Sequence, residues 1–501
     1  MSRLPEDILT STYARRDRMT NLRVQAAGGK SSSASSSEYT LTPVLTAVAV
    51  ACMGALAFGF HLGVVNGPLE AIAADLGFPG DKALQGMVVS STLAGAALGS
   101  LGGGGLSDML GRKKSFLLAA LLMLLGPLLS AGAMSLNAML AGRFVTGIAI
   151  GLSSALVPTY ISEIAPTRVR GTLGALNQLM ICVGILAALL VNVVLPVEQW
   201  RAMFLLAVIP ALVLGLGMLA SPESPPWLAQ AGNRASADAA ARQLWGPSGP
   251  SELKGDTSTL AAGAGIAHWH RSGMAPHSGA MPRPVLIGVV LFALQQFAGI
   301  NAIVYFSTSV FRSAGVVSDT AASAAVGVTN VLGTIVAAWL MDRAGRKQLL
   351  GGSFLGQACA MFIMAAGFSL AALKPYAGSI AVAGTLLYVL SFAMGAGPVP
   401  GLIVPELNAA KIRGRAVAAA MTSHWICNVA VGQYFIQAVA AYGLSNVYIF
   451  FGSVALLGAL YVEKAIPETK GKSLDAIQDE LQGGSQKGGG FNSGGGPLRG
   501  L

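Results

Sequence analysis

The feature that most constrains this chain is a succession of long apolar segments separated by short polar connections. Each segment reaches the ~20 residues that a helix needs to cross the hydrocarbon core of a bilayer. Because backbone groups find no water inside a bilayer, such segments cross it as helices. We predict an all-α membrane protein with twelve transmembrane helices in two six-helix halves. The predicted segments are 42–62, 84–106, 115–135, 137–161, 172–195 and 202–221, then 284–309, 321–341, 349–371, 379–404, 416–440 and 444–466.

Composition supports a multi-pass membrane protein and argues against a soluble enzyme. Hydrophobic residues make up 53% of the 501-residue chain and charged residues only 11%, whereas a soluble protein carries roughly 25% charged residues. The net charge of +10 arises from Lys and Arg in short loops, where they orient a membrane protein, so we expect no nucleic-acid partner. The four cysteines all lie in apolar segments, where packing is a better interpretation than disulfides or metal binding. We expect no enzymatic activity, no cofactor and no metal.

The distribution of basic residues predicts how the chain crosses the bilayer. Most Lys and Arg lie in the loops after even-numbered segments and in the stretch between the halves. The positive-inside rule then places both termini and that central stretch on the cytoplasm-like side, which we call the positive side. The opposite, outer side carries only Lys82, Arg201, Arg312 and Lys374.

The two ends of the chain differ from its middle. Residues 1–40 are rich in Arg and Ser and lack the apolar core of a secretory signal, which favours an organelle transit peptide over an ordinary cytosolic tail. The Gly-rich end is expected to be disordered. The predicted domains are 1–40, the N-terminal segment; 41–221, the N-terminal half; 222–282, a central hydrophilic loop; 283–466, the C-terminal half; and 467–501, the tail.

The halves repeat each other, which predicts an internal duplication. Three loop motifs recur in the same order, after segments two, four and six and again after segments eight, ten and twelve. Many secondary transporters are duplicated in this way and bind solute where the repeats meet. The corresponding residues are Asp108 and Asp342, Arg112 and Arg346, Glu163 and Glu406, and Glu223 and Glu468.

The repeated charges are candidates for a gate. Asp108 and Arg112 lie one helical turn apart beside a helix end, as do Asp342 and Arg346. There they could pair with charges on neighbouring loops, link the halves on the positive side and separate when the protein opens there. Anchoring of topology is the alternative, but Asp adds little to orientation, so the repeated Asp favours a gate.

The stretch from Gln295 to Tyr305 places amides and a phenol inside an apolar segment. Gln295 and Gln296 are adjacent, and Asn301 and Tyr305 share a helix face at i, i+4. Amides donate and accept hydrogen bonds without carrying charge, so these residues could face a polyhydroxylated solute. Hydrogen bonding between helices is the alternative.

An ordered set of short motifs runs through the chain, in addition to the stretch from Gln295 to Tyr305. The motifs are both Asp-x-x-Gly-Arg-Lys loops, Arg143-Phe144-x-x-Gly147, Pro158-x-Tyr160-x-x-Glu163, Pro222-Glu223-Ser224-Pro225, Pro467-Glu468-Thr469-Lys470-Gly471, Phe58-Gly59-Phe60-His61-Leu62-Gly63-Val64-Val65-Asn66-Gly67 and His424-Trp425-Ile426-Cys427-Asn428.

With these motifs the chain resembles the sugar porter branch of the major facilitator superfamily over nearly all of 42–481, and within it most resembles the plastidic glucose transporters. The resemblance implies the major facilitator fold and alternating-access transport of hexose, with glucose as the main substrate. It also implies a plastid inner envelope location, with the plasma membrane as alternative. The oligomeric state stays open.

The same resemblance implies which residues contact the sugar. Amides would satisfy the sugar hydroxyls, and an aromatic face would cover the C–H surface of the ring. The implied site residues, together with Tyr305 of the polar stretch, are Gln178, Gln295, Gln296, Asn301, Asn330, Trp425 and Asn428.

Departures from the family pattern bear on coupling and on the pocket. Proton-coupled members carry an Asp in segment one near an Arg in segment four, but here the matching positions hold His61 and Arg143. We therefore expect facilitated diffusion. A proton-coupled sugar or polyol symporter is the alternative, since His61 can titrate, and a non-transporting sugar sensor is a further one. Ala393 and Gly401 stand where animal-type facilitators often carry an acidic residue and a Trp.

Overall fold

The structure, a computed structural model, describes residues 41–166, 169–251, 253, 282–408 and 413–470, with backbone alone at 171, 342 and 413–415. The predictions for 1–40 and for the chain beyond 470 lie outside the described residues. The described part is helical and contains no strand. Its α-helices are α1 Thr42–Gly63, α2 Leu69–Asp75, α3 Lys82–Leu110, α4 Arg112–Ala131, α5 Leu136–Ile164, α6 Arg170–Val194, α7 Trp200–Leu206, α8 Val208–Ala220, α9 Pro225–Gln230, α10 Arg234–Trp245, α11 Arg283–Phe297, α12 Ile300–Ser313, α13 Asp319–Ala344, α14 Arg346–Ser369, α15 Ala377–Met394, α16 Val399–Leu407, α17 Arg413–Tyr442 and α18 Leu444–Ala465.

These helices supply the spans that the apolar segments predict. Within the described residues, 11 helical stretches are long and apolar enough to cross a bilayer. The remaining predicted segment, 416–440, lies in α17, which has 30 residues and is long enough to cross a bilayer. Its polar side chains, those of His424, Asn428 and Gln433 among them, make it less apolar than the other spans. The all-α architecture is confirmed.

Three predicted segments are broken rather than continuous. Segment 202–221 divides into α7 and α8, segment 284–309 into α11 and α12, and segment 379–404 into α15 and α16. At the second break Gly299 has φ of 103°, a left-handed conformation that glycine adopts without strain. At the third, Gly395 and Pro398 interrupt the helix. Hydropathy could not show these breaks, because they do not change the apolar character of the segments.

Glycines let the helices of the N-terminal half approach closely. A Cβ on Gly95 would lie 2.2 Å from the Phe144 carbonyl oxygen, and one on Gly147 would lie 2.0 Å from that of Thr92. Any side chain there would force α3 and α5 apart. Such close backbone contact is how membrane helices pack without a hydrophobic drive from water.

The central hydrophilic loop, predicted over 222–282, is partly helical. It contains α9 and α10, which pack against the positive side of the N-terminal half. The Trp245 indole N–H donates to the carbonyl of Ile164 at 2.8 Å, and that of Trp227 donates to the carbonyl of Asp108 at 3.0 Å. The two indoles thus attach this region to the ends of α5 and α3.

A carboxylate that follows the last span of each half caps a helix at its start. In the N-terminal half, Glu223 accepts from the backbone N–H groups of Arg112 at 3.0 Å and Lys113 at 3.1 Å. These are first-turn donors of α4, which have no partner inside the helix. Burial raises the pKa of the Glu223 carboxyl above its ordinary value, although the N–H donors and the charge of Arg112 oppose this.

The C-terminal half repeats this capping arrangement. Glu468 accepts from the N–H groups of Arg346 at 3.0 Å and Lys347 at 3.1 Å, at the start of α14, and also from that of Lys470. Partial burial acts to raise the pKa of Glu468, but the backbone donors outweigh it and hold that pKa below its ordinary value. The preceding Gly345 has φ of 91°, and a Cβ on it would lie 2.6 Å from the Glu468 carboxylate.

Candidate sugar site and gates

The polar stretch lies across the break between α11 and α12. Gln295 and Gln296 are in the last turn of α11, and Asn301 is in the first turn of α12. Gly299 turns the chain between them, and the hydroxyl of Tyr388 donates to the carbonyl just before it at 2.9 Å. The break therefore brings amides from two helix ends to one place.

The amides form a connected hydrogen-bond network. The Gln295 amide donates to the carbonyl of Ala396, at the break between α15 and α16. The Gln296 amide donates to Gln295 Oε1 at 3.1 Å and lies 2.8 Å from His424 Nδ1 on α17. Asn301 donates to Gln296 Oε1. The structure thus brings together three predicted site residues, all at least nine-tenths buried.

Aromatic groups from α1 and α17 lie beside this network. Trp425 is buried, and its ring is edge-on to that of His424 at 5.0 Å and lies 6.0 Å from Phe58 across the two halves. Its indole N–H has no partner among the described residues. One turn further along α17, Asn428 Oδ1 accepts from the hydroxyl of Tyr305 at 3.1 Å. Trp425, Tyr305 and Asn428 therefore adjoin the amide network.

Gln178 and Asn330 belong to a second group, where α6 meets α13. Gln178 Nε2 lies 3.7 Å from Cys182 Sγ, which in turn lies 3.3 Å from Thr334 Oγ1 of the other half. Thr334 donates to the Asn330 carbonyl, and the Asn330 side chain is buried without a described partner. Among the described residues, no hydrogen bond joins this group to the amide network.

His61 and Arg143 are neighbours, but their side chains do not pair. Arg143 Nη1 donates to the backbone carbonyl of His61 at 3.2 Å, and its Nε donates to that of Val88 at 3.3 Å. The guanidinium also lies 5.7 Å from the centre of the Phe204 ring. Both imidazole nitrogens of His61 are buried without a described partner. Arg143 is thus stabilised by two backbone carbonyls and by the aromatic ring of Phe204.

The candidate gate residues of the N-terminal half pair with each other. Arg112 Nη1 lies 2.6 Å from Asp108 and Nη2 lies 2.7 Å from Glu163. Arg112 is buried, and charge-assisted hydrogen bonds of this kind offset the cost of removing its charge from water.

The C-terminal half has a looser counterpart. Arg346 Nε lies 3.8 Å from Glu406, too far for a hydrogen bond, and the Asp342 side chain lies outside the described residues. Sequence reasoning placed these ion pairs between the halves. In the described structure each pair lies inside one half, because the partner carboxylate comes from the adjacent helix of the same repeat.

Besides the Cys182–Thr334 contact between α6 and α13, hydrogen bonds and an ion pair join the halves at the outer side. Asn66, just after α1, donates to the carbonyl of Val304 at 2.8 Å and to Ser307 Oγ at 2.7 Å, and it accepts from the N–H of Thr308 at 2.9 Å. We call this set of bonds to α12 the outer latch. Asn66 is 1% exposed.

Two further outer contacts act with the latch. Gln433 on α17 accepts from Ser90 at 2.7 Å and donates to the carbonyl of Ala83 at 3.1 Å, both on α3. Arg312 pairs with Glu70 at 2.8 Å across the halves. On the positive side, the ion pairs of Arg112 and Arg346 stay within their own halves. The protein is therefore closed at the outer side.

Sequence reasoning missed two residues of this arrangement. His424 and Asn66 were visible only as members of family motifs, His424 beside Trp425 and Asn66 near the end of the motif from Phe58 to Gly67. An isolated polar side chain in a span is a signal of a partner, but the sequence does not say which partner.

Comparison with known proteins agrees with this architecture. The family model described as sugar (and other) transporter matches residues 47–481. Plastidic glucose transporter 4 of Arabidopsis thaliana is 50% identical over 444 residues, covering 88% of this chain and 81% of the relative. Probable plastidic glucose transporter 1 of the same plant is 43% identical over 443 residues, covering 87% and 83%.

Solved structures lead to the same fold. The inward-open conformation of the xylose transporter XylE from E. coli is similar with a TM-score of 0.75 and 28% identity, covering 87% of this chain and 99% of XylE. The chain therefore belongs to the sugar transporter family of the major facilitator superfamily, and it is a multi-pass membrane protein that transports sugar rather than an enzyme.

Proposed function

We propose that this transporter carries hexoses, with glucose as the main substrate, by facilitated diffusion through alternating access. The observation that carries the proposal is the network of uncharged amides at the α11–α12 break. Trp425 lies beside this network, and its ring lies 6.0 Å from that of Phe58 in the N-terminal half. The network supplies neutral donors and acceptors next to an aromatic face. A hexose presents hydroxyls around its edge and C–H groups on its face, so the two match.

The network retains hydrogen-bonding capacity for a ligand. Asn301 Oδ1, Asn428 Nδ2 and Trp425 Nε1 make no hydrogen bond to the described residues. Because a buried polar group is costly when unpaired, a sugar hydroxyl that accepts from the buried Trp425 indole N–H gains more than it would at an already satisfied donor. Gln178 and Asn330 would approach the sugar from the α6–α13 side.

Alternating access is supported by where the halves touch. The outer latch and the contacts of Gln433 and Arg312 close the outer side, whereas the Arg112 and Arg346 ion pairs stay within their halves. Rocking about the central site would break the outer contacts. The intrahalf pairs would then hold the helix ends of each half together as it moves.

Facilitated diffusion is supported by His61. A carboxylate at this position could pair with Arg143 and exchange a proton, but Arg143 instead bonds to backbone carbonyls. The unpartnered His61 ring is the feature that favours the second candidate, a proton-coupled symporter, because an imidazole can accept a proton.

Glucose uptake into proteoliposomes, with and without an imposed pH gradient, tests this proposal. We expect uptake to reach the same final level in both conditions. Accumulation above equilibrium under the gradient would establish coupling and direct attention to His61. No hexose uptake by folded protein would refute sugar binding at the amides.

A pair of matched variants tests the site itself. Gln296→Leu removes a network amide, and we expect sugar affinity to fall at least about tenfold, the scale of one or two lost hydrogen bonds. Gln437→Leu removes an amide that donates only to its own helix and should leave affinity unchanged. Equal effects of both variants would contradict the assigned site.

The proposed membrane is the plastid inner envelope. The plastidic relatives and the Arg- and Ser-rich composition of residues 1–40 support it. A fluorescent fusion of the full chain should label plastids, and one lacking residues 1–40 should not. A plasma membrane signal from the full chain would refute this location.

A further inference from the structure

A serine outside the amide network holds the backbone of the residue, Ala396, whose carbonyl accepts from that network. Ser353 lies in α14 and is 4% exposed. Its hydroxyl donates to the carbonyl of Ser391 at 2.6 Å and accepts from the N–H of Ala396 at 2.8 Å and from Gln357 at 3.1 Å. The break between α15 and α16 leaves backbone groups without helical partners. One hydroxyl thus satisfies an acceptor and a donor of that break.

The packing around the break leaves little room for another arrangement. A Cβ on Gly395 would lie 2.2 Å from the Leu349 carbonyl oxygen and 2.7 Å from the Cβ of Ser353. The turn is therefore pressed against α14. Ser353 holds the N–H of Ala396, and the carbonyl of the same residue, in the following peptide unit, is the acceptor for Gln295. The backbone of Ala396 is therefore fixed next to the network.

That carbonyl sets the direction of every hydrogen bond in the network. A backbone carbonyl can only accept, so Gln295 must present its NH2 group to Ala396 and its Oε1 to Gln296. Gln296 must then donate to Gln295, which leaves its Oε1 to accept from Asn301. Its NH2 group also faces His424 Nδ1, so that nitrogen accepts and the neutral ring carries its hydrogen on Nε2. Turning any one of these amides over would place two donors or two acceptors against each other.

We propose that Ser353 is a positioning residue for the sugar site: through Ala396 it fixes the orientation of Gln295 and Gln296. The inference rests on the proposed function, which assigns those amides to the sugar. The N-terminal half supports a specific role, since the residue seven positions after Arg112, which corresponds to Ser353 after Arg346, is Ala119. The hydroxyl is present only in the half that carries the amide network.

Replacing the hydroxyl should weaken sugar binding more than turnover. In Ser353→Ala, the Ala396 N–H loses its partner and the backbone at Ala396 is less restrained, so its carbonyl no longer holds Gln295 in one orientation and the amides must be reordered when sugar binds. We expect the KM for glucose to rise about three- to tenfold, the scale of one hydrogen bond, with the maximal rate within about twofold. A purely structural role would lower stability and leave KM unchanged.

The test measures KM and maximal rate in proteoliposomes, together with the rise in Tm that glucose produces in purified protein. Ser115→Ala is the matched control, because Ser115 is equally buried and its hydroxyl donates only to a carbonyl at the start of its own helix. We expect Ser353→Ala to raise KM and reduce the glucose-dependent Tm rise, and Ser115→Ala to change neither. Equal KM values for both variants would overturn the proposal.

A second variant decides the question if Ser353→Ala does not fold. Ser353→Cys keeps a weaker donor and acceptor of similar shape, and we expect its KM to lie above that of the wild type. A wild-type KM in folded Ser353→Cys would then overturn the positioning role. Wild-type protein that transports no hexose would count against the proposed function and not against this role for the network.

Discussion

Removing the outer latch should shift the protein toward its outer-open form. In Asn66→Ala, three hydrogen bonds from one amide to α12 are lost. All three exist only while the outer side is closed, because they join the two halves. When it opens, water replaces them. The substitution therefore changes the balance between the two forms rather than the stability of either half alone.

The size of the shift follows from the bonds. A hydrogen bond contributes about 0.5–1.5 kcal/mol net, so three give about 1.5–4.5 kcal/mol. Two of the groups that Asn66 contacts, the Val304 carbonyl and the Thr308 N–H, are four residues apart and can bond to each other within α12. The lower half of the range therefore applies, about 1.5–3 kcal/mol, which is a shift of about ten- to 150-fold in the equilibrium.

Distances between spin labels at the outer side measure this shift. Labels at Ala74→Cys and Val317→Cys would report it, since both positions are exposed and lie on opposite halves. The exposed Cys359 is first replaced by serine. We expect one short distance in the parent protein and a second, longer distance in Asn66→Ala.

A matched control separates the latch from general loosening. Asn192, on α6, is 3% exposed and its amide has no hydrogen-bond partner among the described residues. Asn192→Ala should therefore leave the distances unchanged. The reasoning is refuted if Asn66→Ala keeps the parental distances, or if Asn192→Ala lengthens them equally.

Three further predictions concern the helix caps and the site. Gly345→Ala should lower Tm, because it places a side chain at positive φ against the Glu468 carboxylate at a cost of about 1–3 kcal/mol; Gly352→Ala, where no atom lies within 4 Å, should not. Because the pKa of Glu468 is lowered on folding, its contribution is present at neutral pH and is lost as pH falls through that lowered value. The Tm difference between wild type and Glu468→Gln should accordingly shrink on acidification, and a constant difference would contradict this. Trp425→Ala should raise the KM for glucose at least about tenfold, whereas Trp200→Ala, at a buried position near the outer side, should lower Tm with KM unchanged.

Sequence was sufficient for the parts of this protein that depend on local chemistry. Twelve apolar stretches predict spans because a bilayer requires a fixed length of apolar helix. Gln295, Gln296 and Asn301 stand out in the sequence because amides are conspicuous in an apolar run, and the structure joins them by hydrogen bonds. Asp108 and Arg112 pair as their spacing of one turn suggests.

The rest depends on packing between distant parts of the chain. Gln295 bonds to a carbonyl 101 residues away, which is free to accept only because α15 ends there. Arg112 pairs with Glu163 inside its own half, whereas sequence reasoning expected a link between halves. Asn66 meets α12 across 238 residues or more. Such partners follow from tertiary geometry, which spacing along the chain does not contain.

The carboxylate caps also set an order in which the protein can be completed during synthesis. Glu223 is made 111 residues after the Arg112 that it caps, and Glu468 is made 122 residues after Arg346. In each half, the capping carboxylate is translated just after the sixth span of that half. The cap of the first half can therefore form while the second half is still being translated. A chain that stops before Glu468 leaves the membrane with one completed half and one whose α14 still lacks the acceptor for its first N–H groups.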